Sequence, residues 1–322
     1  MKKRAVISSI ICIFLIALIG FSYYKSKSEE PVSKTGFGLD TVINITLYGN
    51  SSENEELINK CFELINHYES LFSTTIEGSD VYVINHSKGQ EVTLNPDTYE
   101  LIKAAVSYAE MSGGLVDPTI GTVSTLWDFH AESPKVPSDE LIKEAVTHVD
   151  YQKIVFNDSS CSVHLEDPEA KIDLGFIAKG YIADKLKEML LDNGVESAII
   201  NLGGNVLVIG SKPDRNPFKI GIQDPFGPTG SPCTSVEISD SSVVSSGSYE
   251  RTFEVNGKKY HHILDTKTGY PIESDLASVS VISKSSLEGD ALSTYLFILG
   301  NEKAKEFDNE HEDIELLLIP NP

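Results

Sequence analysis

The stretch "SAIINLGGNVLVIG", residues 197–210, decides how this chain is built. Two apolar, β-branched runs flank Gly203-Gly204, and a two-residue glycine pair between such runs signals a tight antiparallel hairpin. Working outward, "DTVINITLYG" (40–49) alternates and reads as a strand. "FKIGIQDP" (218–225), "TSVEISDSSVVSSG" (234–247), "RTFEVNGKKYHHILD" (251–265) and "ASVSVIS" (277–283) add further strands, with Asn256-Gly257 marking another hairpin. Helices come in separate blocks. Residues 51–72 carry Leu57, Ile58, Cys61, Leu64 and Ile65 at helical spacing, and 95–114 opens on Pro96 and stops at Gly113-Gly114. Residues 138–149 and Ala178 to Leu191 read as two more helices, while "DPTIGTVSTLWDFH" (117–130) reads as a loop with the only Trp. There is no regular βαβ rhythm, so the class is α+β, with mixed, largely antiparallel sheets and packed helices.

The 322 residues carry a formal net charge of -22. Such a surface repels phosphate backbones, which argues against nucleic acid as a partner. An anionic substrate would need a local device: a metal ion, helix N-termini or a few placed lysines. The N-terminus is a separate matter. "MKKR" precedes an apolar run from Ala5 to Tyr24, and "KSKSEEPVSK" then turns polar. The run is near the length a bilayer needs, and positive charges before it place the body outside the cytoplasm. No small-residue cleavage site is clear, and Phe21 stands where a lipobox would have its Cys, so an uncleaved membrane anchor is expected. Residues 1–25 are thus read as the anchor segment, 26–35 as a linker and 36–322 as one domain. Cys61, Cys161 and Cys233 are widely spaced with no CxxC, which is neither a zinc site nor a disulfide framework. No GxGxxG, Walker A, GxSxG or HExxH pattern is present.

Several stretches have chemical potential, each with an ordinary alternative. In "KIDLGFIAKGYIADKL" (171–186) a strand ending in Asp173 meets a glycine-bracketed turn and a helix carrying Lys179 near its start. That junction suits an anion, or is only a tight connection. Asp117 of "GGLVDPTIG" (113–121) can be a ligand contact or an Asx-Pro turn. In "SSGSYERTFEVNGKKYHHILDTKTGYPI" (245–272) only one of His261 and His262 can face a given site, because neighbours on a strand point to opposite faces. In "EGDALST" (288–294) Asp290 reads as a good N-cap, yet Asp290 and Thr294 lie one helical turn apart and are both hard oxygen donors of the kind Mg²⁺ uses.

The order Leu39-Asp40-Thr41, Asp-Pro-Thr, DLGxIAKG, NLGG, SSGxYER, HHILDxxTG and GDALST resembles the ApbE family of FAD:protein FMN transferases over nearly the whole chain after the anchor. The resemblance implies an ApbE-like, T-fold-related domain. It implies transfer of FMN from FAD to a Thr or Ser hydroxyl of a target protein, with release of AMP and dependence on Mg²⁺. Residue by residue, it makes His262 the catalytic residue. Leu39, Leu115, Val116, Asp117, Asp173, Lys179 and Ile263 become the FAD contacts. Asp290, Thr294 and the carbonyl of Phe176 become the metal ligands. Three positions depart from the family pattern: Leu39 replaces a usual Met, Phe176 a small residue, and Ser293 stands where some members have another acid. A carbonyl ligand survives the Phe176 change, although a Phe there narrows the room for phosphates, and the Ser293 change predicts a softer metal affinity. Implied partners are FAD and a membrane redox subunit or exported flavoprotein bearing a Ser/Thr motif. An FAD pyrophosphatase would use the same residues with water as nucleophile, and a membrane-anchored flavin-binding protein without turnover is the reading from a different class.

Overall fold

Three antiparallel strand pairs in this protein are closed by two-residue hairpins whose central residues have positive φ. The computed structural model describes residues 30–49, 51–129, 131 and 133–322. Among the described residues, strands β1 (Val32–Gly38) and β2 (Thr41–Leu47) come first, followed by α1 (Ser51–Phe72), α2 (Asp80–His86), β3 (Val92–Thr93) and α3 (Pro96–Ser112). Next come α4 (Gly121–Trp127), α5 (Asp139–Val146), β4 (Ile154–Asn157), β5 (Ser162–Leu165) and α6 (Ala178–Asp192). Strands β6 (Ala198–Leu202), β7 (Asn205–Ile209), β8 (Phe218–Gln223), β9 (Pro232–Ile238), β10 (Ser242–Gly247), β11 (Thr252–Val255), β12 (Lys258–His261) and β13 (Leu276–Ser283) follow. Helices α7 (Ser286–Leu299) and α8 (Asn301–Glu310) and strand β14 (Glu315–Pro320) complete the chain.

The main sheet has seven strands in the order β1-β2-β6-β7-β10-β13-β14, and each neighbouring pair is antiparallel. Leu202 pairs with Asn205, so Gly203 and Gly204, at φ 65° and 96°, form the expected hairpin. Asn256-Gly257 does the same between β11 and β12. The sheet is covered on both faces at its centre. Leu207 and Ile209 of β7 meet the core that α1 and α6 lay over one face, whereas Val206 and Val208 meet Phe218, Ile220 and Ile222 of the β8–β9 hairpin on the other. Burial on both faces is why "VLVI" (206–209) is a continuous apolar run rather than an alternating one.

Two sequence expectations are corrected. The stretch 117–130, read as a loop, contains helix α4. Trp127 there is fully buried, and its Nε1 donates to the Gly269 carbonyl at 2.8 Å. A long-range packing anchor orders a segment with a weak local helix signal. Strand β1 begins at Val32, so part of the 26–35 linker pairs with β2. The N-terminal membrane segment, residues 1–25, lies outside the described residues. Among those described, no helix is long and apolar enough to cross a membrane.

Candidate active site

A cavity of about 660 Å³ opens among α4, α6, α7 and the turns of the main sheet, within the usual range for a small-molecule site. His262, Leu39, Leu115, Val116, Asp117, Asp173, Lys179, Ile263, Phe176, Asp290 and Thr294 all line it. These eleven residues come from five separated segments of the chain, and the fold brings every one of them to the same space.

The α6–α7 pair shows how the sequence builds this wall. Helix α6 has no cap from its own N-terminal segment. Its Gly180 N–H instead donates to Asp290 Oδ2 at 2.8 Å, from the second turn of α7. Asp290 is therefore not the N-cap of its own helix, as the local pattern suggested: Ser285 holds that position, its Oγ accepting from Glu288 N. Asp184 of α6 completes an exchange, accepting from Ser286 N at 2.8 Å, Leu287 N at 3.0 Å and Ser285 Oγ at 2.7 Å. Each helix thus caps the other, satisfying orphan N–H groups that neither satisfies alone. A Cβ at Gly180 would fall against the Ser286 carbonyl and within 2.6 Å of Leu287 Cα, so only glycine permits the approach.

Asp290 is 4% exposed, and its free Oδ1 faces Lys179 Nζ at 3.9 Å, beyond hydrogen-bond range. Because Gly180 N is committed to Asp290, no described backbone N–H donates to the Phe176 carbonyl four residues earlier. The Asp290 carboxylate, the Phe176 carbonyl and the Thr294 hydroxyl are three oxygen donors on residues that line this cavity. Among the described residues no group of three or more His, Cys, Asp or Glu could hold a metal. A sparse set of hard oxygens fits Mg²⁺, which takes much of its shell from water and phosphate. The Phe176 side chain packs partly into the main core while lining the cavity.

Asp173 is spent on the scaffold: its carboxylate accepts from Gly175 N at 2.9 Å and Ser124 Oγ at 2.7 Å, pinning the turn into α6 against α4. Asp117, 4% exposed, accepts from Thr119 N, Thr119 Oγ1 and Tyr151 N. Burial pushes its carboxyl above the ordinary range, against the pull of those donors. Thr266 Oγ1 donates to the Gly114 carbonyl at 2.7 Å, tying the turn after His262 to the segment carrying Leu115 and Val116. Leu39 and Asp40 form the two-residue β1–β2 turn at φ 53° and 56°, a conformation unusual for side chains of this kind. The Leu39 N–H is held by Glu69 Oε1 at 3.0 Å.

Of the two adjacent histidines, His262 faces the cavity. His261 is turned away, with Nε2 on the Ile272 carbonyl at 3.0 Å and its ring edge-on to Phe297. His262 Nδ1 lies 3.2 Å from the Glu250 carbonyl. A carbonyl can only accept, so Nδ1 carries the proton and Nε2 keeps its lone pair. Burial, reinforced by Arg251 and Lys179, lowers the His262 pKa to about 3, so the ring is neutral at physiological pH. Glu250 and Arg251 also line the cavity, although sequence reasoning gave them no role. Their signal was present in "SSGSYER". Burial raises the Glu250 carboxyl, with Lys179 and Arg251 pulling the other way. In all, Asp40, Glu69, Asp117, Asp128, Asp173, Glu250 and Asp290 face only Lys171, Lys179 and Arg251 as fixed cations. The lining is acidic, so a pyrophosphate here would need a further positive charge.

Comparison with known proteins points one way. A model of the ApbE family matches residues 39–318. The FAD:protein FMN transferase of Klebsiella pneumoniae (strain 342) is 39% identical over 271 residues, 83% of each chain. That of Treponema pallidum (strain Nichols) is 32% identical over 303 residues, 89% of this chain and 84% of the relative. The crystal structure of the ApbE protein from Thermotoga maritima superposes with a TM-score of 0.84 at 35% identity, covering 90% of this chain and 94% of that one.

Proposed function

The chain belongs to the ApbE family, and on that premise we propose that it is an FAD:protein FMN transferase, moving FMN from FAD to a Ser or Thr hydroxyl of a target protein with release of AMP. The observation that carries this reading is His262. Its Nδ1–H is committed to the Glu250 carbonyl, which leaves the neutral Nε2 lone pair free on a ring that lines the same cavity as Asp290, Thr294 and Lys179. In this reading Nε2 accepts the proton of the target hydroxyl. The hydroxyl oxygen attacks the phosphorus on the FMN side of the pyrophosphate, and the bond from that phosphorus to the bridging oxygen breaks, so the oxygen leaves with AMP. Lys179 sets a point charge beside the phosphates. Leu39, Leu115, Val116, Asp117, Asp173 and Ile263 form the walls that hold FAD in position. Asp290, Thr294 and the Phe176 carbonyl would hold Mg²⁺, which when bound neutralises phosphate charge in the transition state.

The apolar run from Ala5 to Tyr24 is proposed to anchor the chain with the catalytic body on the extracytoplasmic face, where a membrane redox subunit or exported flavoprotein would be the target. Intact-mass spectrometry of a candidate acceptor domain, incubated with the protein, FAD and Mg²⁺, tests the reaction. A mass gain matching FMN, equimolar AMP, and loss of both in EDTA is the expected result. AMP with free FMN and no adduct, across acceptors with a Ser/Thr motif, would make the protein a pyrophosphatase. FAD retained without AMP would make it a binding protein.

A further inference from the structure

A chain of hydroxyls runs from the buried Ser293 to Ser246 and Thr294, which both line the cavity, and its proton order is set at the Ser293 end. Ser293, 0% exposed, lies with its Oγ 3.0 Å from the Asp290 carbonyl, which can only accept. We assign the single Ser293 proton to that carbonyl, and the rest of the order follows from it. Ser246 Oγ, from β10, is 2.8 Å from Ser293 Oγ and must be the donor in that pair. Its own proton is then spent as well. Thr294 Oγ1, 3.2 Å from Ser246 Oγ, must donate in turn. The Thr294 oxygen is left with lone pairs only.

We propose that Ser246 is a positioning residue for the metal site: by taking the Thr294 proton it keeps the Thr294 oxygen an acceptor turned to a cation. This rests on the reading of Asp290 and Thr294 as Mg²⁺ ligands. The relay starts at the Asp290 carbonyl and ends at Thr294, so it joins the two helical ligand residues through a neighbouring strand. It also gives Ser293 a part in the site without an acidic side chain. Partners that orient a metal ligand typically contribute tenfold or more to affinity.

The test is Mn²⁺ binding to the full chain, followed by electron paramagnetic resonance with and without FAD, for the wild type and for Ser246→Ala, Ser246→Thr, Thr294→Ala and the Ser246→Ala/Thr294→Ala double variant. Ser246→Ala is expected to weaken Mn²⁺ about tenfold, and Ser246→Thr, which keeps the hydroxyl, to bind within about threefold of wild type. The double variant should be no worse than Thr294→Ala, because the two changes remove one interaction. If Ser246→Ala binds like wild type while Thr294→Ala loses the metal, the relay is overturned and the metal assignment stands. If Thr294→Ala also binds like wild type, the metal assignment itself has failed. Should Ser246→Ala not fold, the comparison of Ser293→Ala with wild type decides: unchanged Mn²⁺ affinity would overturn the relay.

Discussion

His262 owes its behaviour to three neighbours at fixed positions. The Glu250 carbonyl selects its tautomer, while burial, Arg251 and Lys179 keep it unprotonated. Its pKa falls from the ordinary 6.5 to about 3, so kcat/KM should show no acid limb near pH 6.5 from this group. A pH–rate profile with a limb at the ordinary histidine value would show that the ring is not the buried base described here. The same shift has a stability consequence whose sign is fixed. Between the two values the unfolded chain binds a proton that the folded chain does not, so stability is lost as pH falls through this window. Denaturant midpoints measured from pH 7.5 to 5 should decline, and His262→Gln should flatten that decline. The histidine pair also marks a limit of sequence reading. Alternation along the strand said that only one ring could face a site, but which one depends on the path of the neighbouring 249–251 turn.

At the scale of elements, the reciprocal capping of α6 and α7 explains a spacing that looked only like a motif. Gly180 and Asp184 are one turn apart on α6, so the close-approach point and the carboxylate that caps α7 share one face. Gly180→Ala should cost about 1–3 kcal/mol, the range for forcing extra volume into a tight contact. Asp184→Ala leaves two part-buried N–H groups without their acceptor and should cost about as much. Urea unfolding monitored by circular dichroism checks both; a wild-type midpoint for Gly180→Ala would mean the approach is not tight, and one for Asp184→Ala that the cap contributes nothing to stability. The hairpins at Gly203-Gly204 and Asn256-Gly257 were legible because their signal is local. The Asp290 cap was not, because the N–H it serves is 110 residues away in sequence. Helix α4 escaped for the same reason, since Trp127 is ordered by Gly269, 142 residues on.

Over the whole molecule, a net charge of -22 and an acidic cavity lining set the terms for any anionic substrate. FAD affinity should fall at least about tenfold in EDTA relative to Mg²⁺, the scale expected when a bridging cation is removed. In EDTA, raising NaCl from roughly 50 to 300 mM should tighten FAD rather than weaken it, because screening then relieves net repulsion. Equilibrium dialysis reads both, and weaker binding at high salt would mean that Lys171, Lys179 and Arg251 dominate the field. The most direct measurement of the central claim is single-turnover FMN transfer by His262→Ala with FAD binding determined in parallel. The account predicts FAD bound with near wild-type affinity and adduct formation slowed by about 10²–10⁴-fold, the usual contribution of a general base. Transfer at the wild-type rate would contradict it.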